Sequence, residues 1–477
     1  MNPLYSVAEI RDIEQAAAAA LAPGTLMQRA GLAAAAAAHD MMAGQPVLVL
    51  AGPGNNGGDA LEAAANLAQA GVEVCIIHLA GSGAVAPETA RALARALASD
   101  ARFIDALQAG EAWGLVIDGL FGIGLGRAPE GRARGLIEAV NALACPVLAL
   151  DTPSGLDADS GAVIGIAVHA SRTITFIGDK PGLHTLAGRD HAGEVLVAQL
   201  GVALPEASAQ LNAVALFAHS LVRRPHNAHK GSFGDVAIVG GANGMAGAPV
   251  LAARAALFAG AGRVFIAAID PGPSFDSIQP EIMFRDAASY DGSASTLVLG
   301  PGMGNSETAL RVLRKALDGA SPLVLDADAL NLIAARQLPV RGAILTPHPL
   351  EAARLLGVTT AVVQGDRLAA ARELAARFNA IVVLKGSGTV VANASGMAVI
   401  NRTGNPGLAT AGTGDVLAGV CGSLLAQGWP AWEAALGAVW MHGAAADLLV
   451  EQGCGPIGMT AGELPVAVRA VLNRLVS

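Results

Sequence analysis

Two short glycine-rich segments set a carboxylate where backbone amides gather. The first is Ala51-Gly52-Pro53-Gly54-Asn55-Asn56-Gly57-Gly58-Asp59; the second is Ala411-Gly412-Thr413-Gly414-Asp415. Each follows an apolar run and leads into a helix-like stretch. Amides at such a turn attract anions. An acid planted there repels phosphate, so it has chemical work to do or an ion to hold. Two such segments in different halves predict two active sites, both handling phosphorylated or nucleotide-like molecules.

In the first segment Gly52, Gly54 and Gly57 satisfy G-x-G-x-x-G after a strand. A redox dinucleotide fold also wants an acid at the end of the next strand, for the ribose. Here that strand ends at His78-Leu79-Ala80, which weakens a hydride-transfer reading. Two other strands do end in acids, Leu115–Asp118 and Val147–Asp151. In a parallel sheet all carboxyl ends share one edge, where ligands bind. Asn55, Asn56, Asp59, Asp118, Asp151 and Ser154 can therefore converge. Their amide, carboxylate and hydroxyl oxygens suit a hard cation rather than zinc. The competing structural reading is a set of helix caps around a tight turn without a ligand.

The second segment runs directly into an apolar helical stretch that starts at Val416. Its glycines let the amides turn inward, and the helix dipole adds positive potential. A transferring phosphoryl group would be stabilised there, with Asp415 placed to take the proton of an attacking hydroxyl. G-x-x-x-x-G-K-[ST] does not occur. The pattern resembles the ribokinase-like superfamily. An Asp that only caps a buried helix is the alternative.

The elements that must hold these residues are short apolar runs alternating with helical stretches, as in βαβ units. The first half offers strands at Pro46–Leu50, Val72–Leu79, Leu115–Asp118, Val147–Asp151 and Thr173–Ile177, with an edge at Glu194–Val197. The second offers Asp235–Val239, Arg263–Ala268, Thr296–Leu299, Leu323–Asp326, Ala343–Thr346, Ile381–Lys385 and Val390–Ala392. At roughly 100–200 residues per domain, 477 residues make two domains. The boundary falls at about 215–225, giving domains 1–215 and 222–477. Both read as doubly wound α/β folds. Hydrophobic residues at 53% and charged residues at 14% fit sheets buried on both faces. The alanine runs Ala16–Ala20 and Ala33–Ala38 read as packed helices.

The net charge of −9 without a dense Lys/Arg tract argues against nucleic acid. Ala434–Trp440 is apolar but is interrupted by His442 and Asp447, short of the roughly 20 residues a membrane span needs. Met1 to Gln15 lacks the pattern of a signal peptide. Four scattered cysteines fit reduced thiols in the cytoplasm.

Asn55-Asn56-Gly57-Gly58-Asp59, Asp118-Gly-Leu-Phe-Gly122 and Asp151-Thr-Pro-Ser154-Gly155 together resemble the NAD(P)H-hydrate epimerase family, over about residues 5–210. The resemblance implies a Rossmann-like three-layer sandwich. It implies that Asn55, Asn56, Gly57, Gly58 and Asp59 hold the hydrated dinucleotide. The later loop (Gly122, Ile123, Gly124, Leu125, Gly126, Arg127, Ala128) does the same. It places potassium on Asn56, Asp118 and Ser154, and makes Asp151 a substrate contact and the acid/base. Ala60 stands where the family usually has Gly. Lys180, in Gly178-Asp179-Lys180-Pro181-Gly182, fits a family pattern; a solvated surface lysine is the alternative.

A second set resembles the nucleotide-dependent NAD(P)H-hydrate dehydratase family, over about residues 225–470. It comprises His229-Lys230-Gly231-Ser232-Phe233-Gly234, Gly300-Pro301-Gly302-Met303-Gly304, Asp326-Ala-Asp328, Thr346-Pro347-His348-Pro349 and Asn405-Pro406-Gly407. By that resemblance Ala248, Gly302, His348 and Asp415 line the substrate site. Lys385, Gly386, Ser387, Gly388, Thr389 and Gly414 hold the adenine nucleotide. His348 lies between two prolines, so a structural turn histidine is its other reading. Ala411 replaces a frequent Gly.

The implied chemistry is repair of hydrated NADH and NADPH. One domain interconverts the R and S hydrates. The other phosphorylates the S form with ADP, or ATP, and eliminates phosphate, with Mg²⁺ as counter-charge. A cytoplasmic homo-oligomer acting on small molecules is expected, with neither nucleic acid nor membrane as partner. The alternatives are a ribokinase-like vitamin or sugar kinase on a non-catalytic first domain, a first domain that only senses nucleotide, and a redox dehydrogenase.

Overall fold

The computed structural model describes residues 2–42, 44–81, 86–107, 110–293 and 295–476. The chain divides into two compact units, Asn2–Ala209 and Gln210–Ser477.

The first unit is built on a sheet whose order runs Arg102–Phe103, Val74–His78, Val47–Ala51, Leu115–Gly119, Val147–Leu150, Arg172–Phe176, Glu194–Ala198. Every pair is parallel. Val47–Ala51 is buried at each position, which is why a run of five apolar residues is stable as a central strand. The chain leaves that strand toward Val74–His78 on one side and returns on the other as Leu115–Gly119. This reversal opens a crevice at the carboxyl ends of the two strands.

Helix Thr25–His39 buries Ala30, Ala34, Ala35, Ala37 and Ala38 against helix Asn55–Gln69 and the sheet. The run Ala33–Ala38 therefore packs as expected. Ala16–Ala20 does not: it ends helix Val7–Ala20, which buries only Ile10 and Ile13. That helix starts in a capping box, with Glu9 N donating to Ser6 Oγ at 3.3 Å and Ser6 N to Glu9 Oε2 at 2.7 Å. The cap and alanine's propensity, rather than packing, support its last turn.

The sheet of the second unit runs Ala209–Leu211, Ala398–Ile400, Val390–Ala392, Ile381–Leu384, Ile344–Leu345, Leu323–Leu325, Thr296–Leu299, Asp235–Gly240, Arg263–Ala268, Met283–Asp286. From Ile381–Leu384 to Met283–Asp286 it is parallel; Val390–Ala392 and Ala398–Ile400 are antiparallel. The strand order reverses at Asp235–Gly240. Helices Gly247–Phe258, Thr413–Ala426 and Ala431–Glu451 cover it with an Ala- and Val-rich core. Among the described residues no helix is long and apolar enough to cross a membrane.

Candidate active sites

In the first unit the glycine loop is shorter than its sequence suggests. Helix Asn55–Gln69 already begins at Asn55, so Asn55 to Asp59 form its opening turns. Close approach fixes two glycines. A Cβ on Gly52 would lie 1.8 Å from Leu120 O, and one on Gly57 would lie 1.9 Å from Gly52 O. Ala60 is tolerated because it faces Gly119, where a Cβ would come within 2.4 Å of its methyl.

A cavity of about 450 Å³ opens at the strand reversal. Asn55, Asn56, Asp59, Gly122, Ile123, Gly124, Leu125 and Asp151 line it, with Arg11 and Glu14 from the first long helix. Gly126, Arg127 and Ala128 are not among its walls, and Arg127 is exposed. Asp151 holds a left-handed backbone at φ 63°, a conformation non-glycine residues keep only where the surroundings enforce it. Its Oδ2 accepts from Ile123 N at 3.3 Å. Its Oδ1 accepts from Lys180 Nζ at 2.5 Å. Lys180 is fully buried, which overturns the surface-lysine alternative. Asp59 is pushed well above the carboxylate range by burial, then by Asp151 and Glu14. Burial, with Asp151 beside it, also raises Glu14. Glu14 carries no sequence signal.

Beside the cavity Asp118 is fully buried. Its carboxylate accepts from Ser154 Oγ at 2.7 Å and Ser154 N at 2.8 Å. Burial raises its pKa, partly offset by those bonds. Neither amide atom of Asn56 has a hydrogen-bond partner, although both are buried. An orphaned amide oxygen, an uncompensated carboxylate and a hydroxyl make a donor set that fits a hard monovalent cation. Among the described residues no cluster of three or more His, Cys, Asp or Glu is placed to hold a metal.

In the second unit Asp415 lies in the first turn of helix Thr413–Ala426, so the helix starts earlier than Val416. Gly412 leads in with φ 91°. Burial, then Asp326, raises the Asp415 carboxyl to about 7, with Lys385 opposing. Lys385 Nζ donates to Asp326 Oδ1 at 2.6 Å and lies 3.9 Å from Glu351. Burial alone would lower this ammonium; Asp326 and Glu351 outweigh it, and the net shift is upward. Thr346 Oγ1 donates to Asp326 Oδ1 at 2.8 Å. A Cβ on Gly414 would sit 3.5 Å from Lys385 Nζ.

The remaining motif residues assemble around this centre. A Cβ on Gly302 would lie 3.3 Å from that of Ala248. Lys385 N donates to Pro347 O at 2.9 Å, which draws the loop that starts at Lys385 to His348. His348 serves as a helix cap: Leu350 N donates to its Nδ1 at 3.1 Å. Its Nε2 is 3.3 Å from Glu351. Burial, then Lys385, lowers its pKa, so the ring is neutral near pH 7. The loop Gly386–Thr389 is braced from below by Arg367, which donates to Leu384 O and Lys385 O at 3.2 Å each. Glu351, Arg367 and the pairing of Asp326 with Lys385 were not singled out by sequence reasoning. Only Glu351, three residues after the cap, had a legible signal.

A family model described as NAD(P)H-hydrate dehydratase matches residues 236–467, and one described as YjeF-related protein N-terminus matches residues 23–182. The bifunctional NAD(P)H-hydrate repair enzyme of Coxiella burnetii is 38% identical over 492 residues, spanning 99% of this chain and 100% of its own. The chain belongs to the family of bifunctional NAD(P)H-hydrate repair enzymes. A second member of that repair family, from Escherichia coli, is 38% identical over 439 residues, covering 89% of this chain and 85% of its own. The ADP-dependent (S)-NAD(P)H-hydrate dehydratase of Neisseria meningitidis is 46% identical over 271 residues, covering 54% of this chain and 92% of its own. Among solved structures, the Bacillus subtilis ADP/ATP-dependent NAD(P)H-hydrate dehydratase co-crystallised with ATP/Mg²⁺ aligns with TM-score 0.50 and 32% identity, covering 55% of this chain and 97% of that one. The likeness supports the ribokinase-like reading of the second unit.

Proposed function

We propose that this chain restores hydrated NADH and NADPH in two steps, epimerising the hydrate in domain 1–215 and dehydrating the S form in domain 222–477. The observation that carries this reading is a carboxylate with a lysine among its surrounding charges in each unit. Asp151 is paired with a buried lysine beside a cavity. Asp415 is poised near neutrality at a helix start.

In the first site Asn55, Asn56, Asp59 and Gly122 to Leu125, which line the cavity, grip the substrate. Asp151 moves the proton at the hydroxyl-bearing ring carbon. Asn56, Asp118 and Ser154 would hold K⁺, whose charge would balance the buried carboxylate and fix the loop.

In the second site Ala248, Gly302 and His348 position the ring, while Lys385 to Thr389 and Gly414 hold ADP. Asp415 takes the ring hydroxyl's proton as that oxygen attacks the terminal phosphorus, releasing AMP. The carbon–oxygen bond then breaks and phosphate leaves, pushed by the ring nitrogen lone pair. Loss of a proton from the neighbouring carbon restores the reduced ring. Mg²⁺ bound to the nucleotide phosphates would offset their charge. A cytoplasmic homo-oligomer completes the reading.

The test is to incubate the protein with chemically hydrated NADH and ADP, then ATP. Full recovery of reduced-nicotinamide absorbance from both epimers is expected. Recovery of neither, with a stable phosphorylated vitamin or sugar formed instead, would establish the kinase alternative, which the full-length match to repair enzymes does not favour.

A further inference from the structure

Lys180 is among the largest fully buried side chains of the protein, and its ammonium has no donor to spare. It donates to Asp151 Oδ1 at 2.5 Å, to Thr175 Oγ1 at 2.7 Å and to Phe176 O at 2.9 Å. An ammonium has three protons, so none is left for a substrate. Lys180 therefore acts on the reaction through the groups it holds, of which Asp151 is the charged one.

The local chain is shaped to bring the lysine there. Ile177 takes a left-handed turn at φ 66° directly after strand Arg172–Phe176, which doubles the backbone back on itself. The backbone of Lys180 is anchored too: its N donates to Asp179 Oδ1 at 2.8 Å. That carboxylate is held from the other side by His184 Nε2 at 2.8 Å to each oxygen. The lysine is therefore fixed at both ends.

Asp151 needs such a partner. It faces Glu14 from helix Val7–Ala20 and Asp59 from helix Asn55–Gln69, both carboxyl groups of the same cavity. Arg11 stands at the same wall, and Asp118 is occupied with Ser154. Lys180 clamps Oδ1 on the inner side. Oδ2 lies on the cavity side, where it accepts from Ile123 N at 3.3 Å and sits beside Gly122, at which a Cβ would lie only 3.0 Å away.

We propose that Lys180 is the positioning residue of the first site: it clamps one oxygen of Asp151 so that the other is aimed at the cavity. This rests on the reading of Asp151 as the acid/base. Aiming one oxygen makes the proton transfer directional without a substrate contact, so turnover depends on the lysine and substrate affinity does not.

The experiment compares Lys180→Met, Lys180→Gln and Asp151→Asn in the full chain. R-to-S conversion is followed chromatographically without nucleotide, so that the second domain is idle. Met reproduces the apolar stem but donates nothing; Gln can still donate to Asp151 Oδ1. Lys180→Met should lower kcat by at least about 10²-fold, the scale of a displaced acid/base group, with KM within about threefold. Lys180→Gln should retain about tenfold more activity than Lys180→Met. A purely packing role gives the opposite order, with Met equal to or better than Gln, and overturns the proposal. A rise in KM with kcat intact overturns it as well, because Lys180 would then be binding substrate. If Lys180→Met fails to fold, Lys180→Gln decides by the same split of kcat from KM. Asp151→Asn separates the two layers: substantial activity in that variant removes the acid/base reading itself, whereas its inactivity beside an unaffected Lys180→Met removes only the lysine's role.

Discussion

Protonated Asp415 cannot accept a proton, so the dehydratase should carry its titration in its rate. Burial and Asp326 raise this carboxyl to about 7 from an ordinary value of 3.8. The competent form is the carboxylate, so kcat/KM should rise with pH and level off above the midpoint. With the midpoint near neutrality, about a tenth of the enzyme is competent at pH 6 and about nine tenths at pH 8, a gain of roughly tenfold. The assay is initial recovery of reduced-nicotinamide absorbance from purified S hydrate at low substrate, with ADP saturating. Epimerase rates in the same preparations provide a control for folding. Asp415→Asn should lower dehydration by at least about 10²-fold and leave epimerisation unchanged. A flat profile between about pH 5.5 and 8.5, together with less than a tenfold loss in Asp415→Asn, would refute the assignment of Asp415 as the base.

Three further outcomes follow from the same geometry. Replacing K⁺ by a larger organic cation should slow epimerisation but not dehydration, and Asn56→Ala, which removes the orphaned amide, should abolish the cation's effect. Asp59 keeps its proton more tightly folded than unfolded, so its ionisation weakens the folded state progressively as pH rises above the unfolded value. Asp59→Asn should therefore unfold at a higher temperature than the parent near pH 8 and show little difference near pH 3, measured by calorimetry. Gly57→Ala forces a methyl to 1.9 Å from Gly52 O and should lose epimerase activity while dehydration continues.

The sheets were legible because parallel strands buried on both faces are written as unbroken apolar runs. Asp235–Gly240, Arg263–Ala268 and Thr296–Leu299 show this, and their positions lie within a residue of the sequence reading. The edge Glu194–Ala198 was legible as well, but two other edge strands were not. Arg102–Phe103 has two residues, and Met283–Asp286 ends in two exposed charged residues. Their pairing is decided by a neighbouring backbone rather than by their own side chains. The helix starts at Asn55 and Thr413 were hidden for a related reason. Glycine after glycine reads as a loop, whereas here Gly57 is required because backbone passes against it.

The division within the sites has the same origin. The residues proposed to touch a ligand sit at strand ends and helix starts, where a carboxylate or amide amid glycines is conspicuous. Residues that hold them in place come from far along the chain and look ordinary. Lys180 reaches Asp151 across 29 positions, and Lys385 reaches Asp326 across 59. Both lysines are charges placed against a carboxylate beneath a loop, and both could be mistaken for solvated side chains by composition alone. What distinguishes them is burial, which the sequence does not print. An ammonium withdrawn from water must find acceptors. Lys180 takes three within its own unit, and Lys385 takes Asp326 with Glu351 nearby. The conspicuous acids thus depend on inconspicuous cations, and the two sites share that plan although their folds and reactions differ.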